Sequence, residues 1–317
     1  MKNAELRKRL IPLAGIAIFI AACLFVPKFA SFTNIINILR QSSYTAIPAV
    51  MMTAIIITGG INLSLGGVMS LAGVACALLI NHEVSIPIAF LIVAMLSIAF
   101  GALNGFFISH MQLPAFICTY TVGQIASGIA LLLNDAKAVR VNNAGLLAFG
   151  NARIFGSIPL IIPIAAVFVL IAWFLMHKTT FGVKLFALGN NETLLRQVGI
   201  NVNQIKIIAY SLSCLFAGLG GALLMTRLGS GSPVQGESYT LNCIAASAIG
   251  GVNMAGGYGK ILNTVVGSVV ISMLGNVLNL LQINNNVQEI VLGVVIIALV
   301  GVSAFVKNRN EKQLLKY

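Results

Sequence analysis

A chain of 317 residues in which 58% are apolar and only 8% charged cannot clothe a soluble domain, whose surface needs about a quarter charged residues. Nineteen Lys+Arg against seven acids give a net charge of +12. The basic residues gather at the ends of apolar runs, where they set orientation and meet anionic lipid heads, which argues against a nucleic-acid partner.

One membrane crossing takes roughly 20 apolar residues. Runs of that kind fall at about 10–26, 43–60, 63–80, 86–108, 114–133, 158–176, 206–225, 241–254, 261–281 and 287–306. The first follows Lys2, Arg7, Lys8 and Arg9 and reads as a span, since no small-residue cleavage site ends it convincingly. The eighth is short, and the second and third nearly join across Gly59-Gly60. The expectation is an all-α, polytopic protein of the cell membrane: a single transmembrane domain over 1–317, with about ten helices, some of them broken. Both termini then share one side, and the basic N-terminus with Lys307, Arg309, Lys312 and Lys316 places that side in the cytoplasm. The polar stretch of about 177–205 falls inside as well. The stretch 134–157 faces outward despite Lys137, Arg140 and Arg153.

Reactive constellations are missing. Glu5, Glu83, Asp135, Glu192, Glu237 and Glu311 sit in tails or loops, and Glu289 opens the last run. His82, His110 and His177 lie at run edges. A proton-coupled carrier needs a titratable group at depth, so that coupling is poorly supported. Gly257-Tyr258-Gly259-Lys260 is no phosphate loop, because Met254 stands where a Gly is required and Ile261 where a Ser or Thr is. The five cysteines form no CxxC pair and read as buried free thiols. Neither a metal nor a cofactor is expected, and the chain is not read as an enzyme.

The informative residues are polar ones inside apolar runs. Thr58 to Gly67 holds Gly59, Gly60, Gly66 and Gly67 around Asn62 and Ser64. Each Gly costs a helix about 1 kcal/mol relative to Ala, so the helix should break here, and the freed backbone must find partners in protein or water. Asn104, Thr119, Gln124 and Asn276 add uncharged amides and hydroxyls within other runs. Such groups suit a passage for a neutral polyhydroxylated solute, and they suit hydrogen bonds between helices equally well. Gly59-Gly60-Ile61-Asn62-Leu63 also returns as Gly250-Gly251-Val252-Asn253-Met254, by chance or as a structural repeat.

The internal loop has its own pattern. Asn190 or Asn191 is a fair N-cap for a two-turn helix with Glu192 in its first turn and Arg196 one turn on. Gly199 closes it, leaving Leu194, Leu195 and Val198 to dock into something. Such a helix lies on a membrane surface or forms a knob for a cytoplasmic partner.

This loop, Thr179-Thr180-Phe181-Gly182 through Gly189-Asn190-Asn191 to Gly199-Ile200-Asn201-Val202, resembles the signature of the permease subunits of ribose-type ABC sugar importers. The segments around Gly60-Ile61-Asn62-Leu63-Ser64, Asn104-Gly105, Leu113 to Thr119, and Ile244 to Gly259 are similar to the family's other motifs, in order, from about 30 to 300. The resemblance implies a permease that works as a pair, identical or not, with separate ATP-binding subunits on the internal loop. It implies an extracytoplasmic binding protein that delivers a sugar or sugar-like neutral solute. Coupling to the ATPase would fall to Gly189, Asn190, Glu192, Leu194, Leu195, Arg196 and Gly199. Asn62 and Thr240 stand where the family often has Asp and Glu, and Tyr120-Thr121 where it has Leu-Gly, so the expectation is a divergent member that forms one half of a heterodimer. The alternative is an ion-coupled secondary transporter, with sodium held by carbonyls of an unwound helix.

Overall fold

The computed structural model describes residues 26–284, together with Cys23 and scattered positions between 286 and 297. The first helix described over its whole length is α1, Phe32–Ile57, capped by the Ser31 hydroxyl, which accepts the Asn34 N–H. Every residue of α1 from Ser42 to Ile57 is buried, the mark of a helix at the centre of a bundle. Then follow α2 (Leu65–Asn81), α3 (Ile86–Ser109), α4 (Ala115–Leu132) and the short α5 (Ala144–Asn151). The second half contains α6 (Ile161–His177), α7 (Thr180–Asn190), α8 (Glu192–Gln197), α9 (Val202–Leu228), α10 (Glu237–Ile249) and α11 (Ile261–Leu280). Four two-residue strands staple the loops: β1 (Val139–Arg140) pairs antiparallel with β4 (Ser230–Gly231), and β2 (Arg153–Ile154) with β3 (Ile158–Pro159).

The helical architecture agrees with expectation, and the described residues account for part of the expected spans. Among the described residues four helices, α3, α4, α9 and α11, are long and apolar enough to cross a membrane; α6 with α7, bent by 68°, makes a fifth. Each of the other predicted runs differs for a reason. The helix at 43–60 starts at Phe32, so its first turns carry Asn34, Asn37, Arg40 and Gln41. At 17 and 13 residues, α2 and α10 are shorter than those four helices. The runs at 10–26 and 287–306 fall largely outside the described residues.

The surface is inverted relative to a soluble protein. Leu91 and Met95 on α3, Phe116 and Ile117 on α4, and Leu170 and Phe174 on α6 point outward, while Ser97, Asn104 and Thr119 on the same helices' inner faces are fully buried. Hydrocarbon accepts the first set and expels the second. Close packing of α3 on α9 relies on Gly101 and Gly105: a Cβ on Gly101 would lie 2.5 Å from the Ser211 Cα, and one on Gly105 would strike the Ile207 backbone. Small residues spaced four apart allow such an approach.

The helices run between two ends. One carries α7 and α8 and the break after Ile57; the other carries the paired strands, where Asn81 donates to the Arg140 carbonyl at 2.6 Å. Both Gly-Gly turns lie at the first end, yet they are not copies of one geometry. Positive φ falls on Gly59 in the first and on Gly251 in the second, one position out of register.

Candidate functional site

Between Ile57 and Leu65 the chain leaves helical form, and this segment carries Asn62 and Ser64 into the bundle. The Asn62 carboxamide oxygen accepts the Ser64 hydroxyl at 2.6 Å and the Ser64 backbone N–H at 3.1 Å. Its nitrogen donates to the Ser213 hydroxyl on α9 at 3.1 Å. Asn104 on α3 donates to the Ser64 hydroxyl at 2.8 Å, and the Thr119 hydroxyl on α4 accepts the Leu63 N–H at 3.0 Å. The Cys214 sulfur completes the knot, 3.5 Å from the Ser64 oxygen. Asn62, Ser64, Asn104, Thr119, Ser213 and Cys214 expose nothing. Neutral donors and acceptors satisfy one another here, so an irregular segment is tolerated at depth.

A second break meets the first. The Gly66 N–H at the start of α2 donates to the Thr240 hydroxyl of α10 at 2.8 Å, and the Gly236 N–H just before α10 donates to the Ser70 hydroxyl of α2 at 2.9 Å. Two short helices thus begin against each other, each using a side chain of its partner for a backbone group its own first turn leaves free.

At the α7–α8 end three glycine-bearing turns converge. The Gly257 N–H donates to the Ile57 carbonyl at 2.8 Å. A Cβ on Gly189 would run into that same carbonyl and into the Gly257 nitrogen, and one on Gly256 would come within 3.1 Å of the Gly189 and Ile57 carbonyls. Asn191 rather than Asn190 is the N-cap of α8, its side-chain oxygen accepting the Leu194 N–H at 3.0 Å; Asn190 bonds back to the Phe186 carbonyl. Gly199, at φ +79°, ends the helix, with the Ile200 N–H reaching the Leu195 carbonyl. Leu195 is buried against Leu188, Val202 and Ile205, so it anchors α8 instead of offering itself to a partner. The exposed apolar pair is Leu194 and Val198. Glu192 pairs with Arg196 at 2.9 Å and with Lys206 on α9 at 2.8 Å. Partial burial pushes the Glu192 carboxyl up, but hydrogen bonds from Lys206 and Arg196 outweigh it and hold the group below its ordinary value.

Residues 34–300 match the family model described as branched-chain amino acid transport system / permease component. The ribose import permease protein RbsC of Escherichia coli strain K12 is 38% identical over 291 residues, 90% of this chain and 88% of its own. RbsC of Bacillus subtilis strain 168 is 35% identical over 297 residues, 92% of this chain and 91% of its own. The chain belongs to this permease family. The L-arabinose transport system permease protein AraH of Escherichia coli strain K12 is 35% identical over 283 residues, 89% of this chain and 86% of its own. No solved structure matches the chain.

For a permease, the placement of the candidate passage residues is informative. Asn62, Ser64, Asn104 and Thr119 come together in the knot. Gly59 and Gly60 line a cleft of about 380 Å³ at the α7–α8 end, with Gln112, Glu192, Arg196 and Tyr210. Two residues lie elsewhere. Gln124 is exposed on α4, and Asn276 exchanges reciprocal 2.9 Å hydrogen bonds with Asn34, joining α11 to α1. Ser213, Cys214 and Lys206 were not singled out by sequence reasoning; the first two sit inside an apolar run, where a hydroxyl and a thiol look like ordinary packing.

Proposed function

We propose that the chain is the membrane-spanning subunit of an ATP-binding-cassette importer for a sugar or sugar-like solute, set as a multi-pass protein in the cytoplasmic membrane. In this reading the α7–α8 loop faces the cytoplasm, where separate ATPase subunits grip it. A binding protein delivers solute at the opposite end, and a second permease subunit completes the passage. The relatives' names as ribose and arabinose permeases support this assignment over ion-coupled transport.

The observation that carries the mechanism is the glycine junction. The end of α7, which leads into α8, packs at Gly189 on the Ile57 carbonyl that Gly257 also bonds, and Ile57 is the last helical residue before the segment that holds the knot. A push on this end therefore bears on the irregular segment that carries Asn62 and Ser64. A solute rich in hydroxyls can take over the bonds of Asn62, Ser64 and Asn104 as they part, so opening strands no polar group. Vesicles containing the chain, its ATPase and its binding protein are expected to accumulate solute only with ATP inside reach of the ATPase. Uptake that survives ATP depletion but stops when the sodium gradient is dissipated would overturn the proposal.

A further inference from the structure

At the end opposite α8, two half-buried arginines, Arg40 and Arg227, gather with the exposed Arg153. Arg40 on α1 feels the charges of Arg227 on α9 and of Arg153 on β2. The Arg227 guanidinium sits 5.5 Å from the ring centre of buried Tyr44, a cation–π contact. Both ion pairs among the described residues are made by Glu192 at the far end, so no carboxylate pairs with these arginines. Arg40 donates to the Asn37 side-chain oxygen at 2.8 Å, and a guanidinium with five N–H donors keeps others for a further acceptor.

Two buried polar atoms here have no partner: the Arg40 Nε, a donor, and the Asn242 side-chain oxygen, an acceptor. Asn242 follows Tyr239 by one turn of α10, and Tyr239 feels the charge of Arg227. Its neighbour Cys243 bonds the Thr45 carbonyl on α1, which places this part of α10 against the Arg40–Tyr44 turn. On the other side Thr240 bonds Gly66, two residues from Ser64. Thr240 thus links this part of α10 to the start of α2.

We infer that this cluster binds a hydroxylated anion, a sugar acid or sugar phosphate: its acidic oxygens accept from Arg40 and Arg227, and a hydroxyl donates to Asn242. The inference rests on the importer reading and replaces a wholly neutral solute by one with an acidic group. A lipid phosphate shares this chemistry, and exchange of the lipid headgroup in the test separates the two sources.

The test uses the full chain, alone, in nanodiscs of zwitterionic phosphatidylcholine, titrated with sodium phosphate, ribose and ribose 5-phosphate. Phosphate and ribose 5-phosphate are expected to bind at least about tenfold more tightly than ribose. Arg40→Gln should weaken both anions about tenfold, while Arg40→Lys, which keeps the charge, should lose less. Anion binding that is absent, or equal in wild type and Arg40→Gln, overturns the site. Loss of phosphate binding when phosphatidylglycerol replaces phosphatidylcholine assigns the arginines to lipid and overturns the solute. Because the ATPase takes no part, failure of the importer reading would show separately, as ATP-independent uptake.

Discussion

Asn62, Ser64 and Asn104 bond only to neutral groups and expose nothing, whereas Glu192, Arg196 and Lys206 bond as charges, with Glu192 and Arg196 about 40% open to water. The contrast follows from the solvent at each level. In the bundle interior an unmet amide costs its full desolvation, so the knot is closed and stiff. At the α7–α8 end water stands ready to replace any partner, so the ion pairs hold α8 loosely and can be exchanged for those of another protein. Between them lies the glycine junction, which is backbone against backbone and has no slack.

The sharpest way to break this contrast is Asn62→Leu. It leaves the Ser64 N–H and hydroxyl and the Ser213 hydroxyl without their partner, and should lower stability in detergent by about 3 kcal/mol, the upper range for a buried unmet group. A loss below about 1 kcal/mol, read by thermal unfolding, would mean that water already reaches the knot. Next comes Gly189→Ala. The added methyl collides with the Ile57 carbonyl and the Gly257 nitrogen, neither of which can swing aside as a side chain would. Overpacking of that kind should cost about 2 kcal/mol, and ATP-driven uptake should fall with it. Wild-type uptake in this variant would show that motion does not pass through the junction.

How much of this was legible beforehand depends on the residue. The glycines around Asn62 announced a break, and amides in apolar runs announced polar contacts; the structure joins Asn62, Ser64, Asn104 and Thr119. The same compositional signal covered Gln124 and Asn276, which lie elsewhere, because helices apolar nearly all round give no periodicity to tell one face from another. The start of α1 was illegible for a different reason. Asn34 and Gln41 ended the apolar run, while the Ser31 cap and the Asn34–Asn276 pair carry the helix back to Phe32. Arg40 escaped notice altogether, since one charge beyond the edge of a run reads as an anchor at the lipid surface.

Glu192→Gln should have a smaller effect, at most about 1 kcal/mol, because its pairs are partly exposed. The sign of its pH dependence can be worked out. A carboxyl held below its ordinary value of 4.5 stabilises the fold fully above that value and loses the contribution as pH falls through its depressed one. Wild type should therefore lose α8 protection in hydrogen exchange below about pH 4.5, and Glu192→Gln should show no such step there. An identical step in both would move the titration to another group.

The smallest expected change in stability tests the function most directly. Leu194 is 54% exposed and Val198 70%, and neither joins the cluster of Leu188, Leu195, Val202 and Ile205 beneath α8. Replacing both by Ser removes apolar surface that the isolated chain leaves in water, so unfolding should shift by no more than about 0.5 kcal/mol. If α8 is the grip for an ATPase, the same double variant should lose stimulated ATP hydrolysis and uptake together, since an exposed apolar pair has value only when a partner buries it. Leu195→Ser gives the opposite pattern, destabilising the loop by opening its core. A Leu194→Ser/Val198→Ser variant that retains full stimulation would leave the glycine junction as a brace for the bundle, with no partner pushing on it.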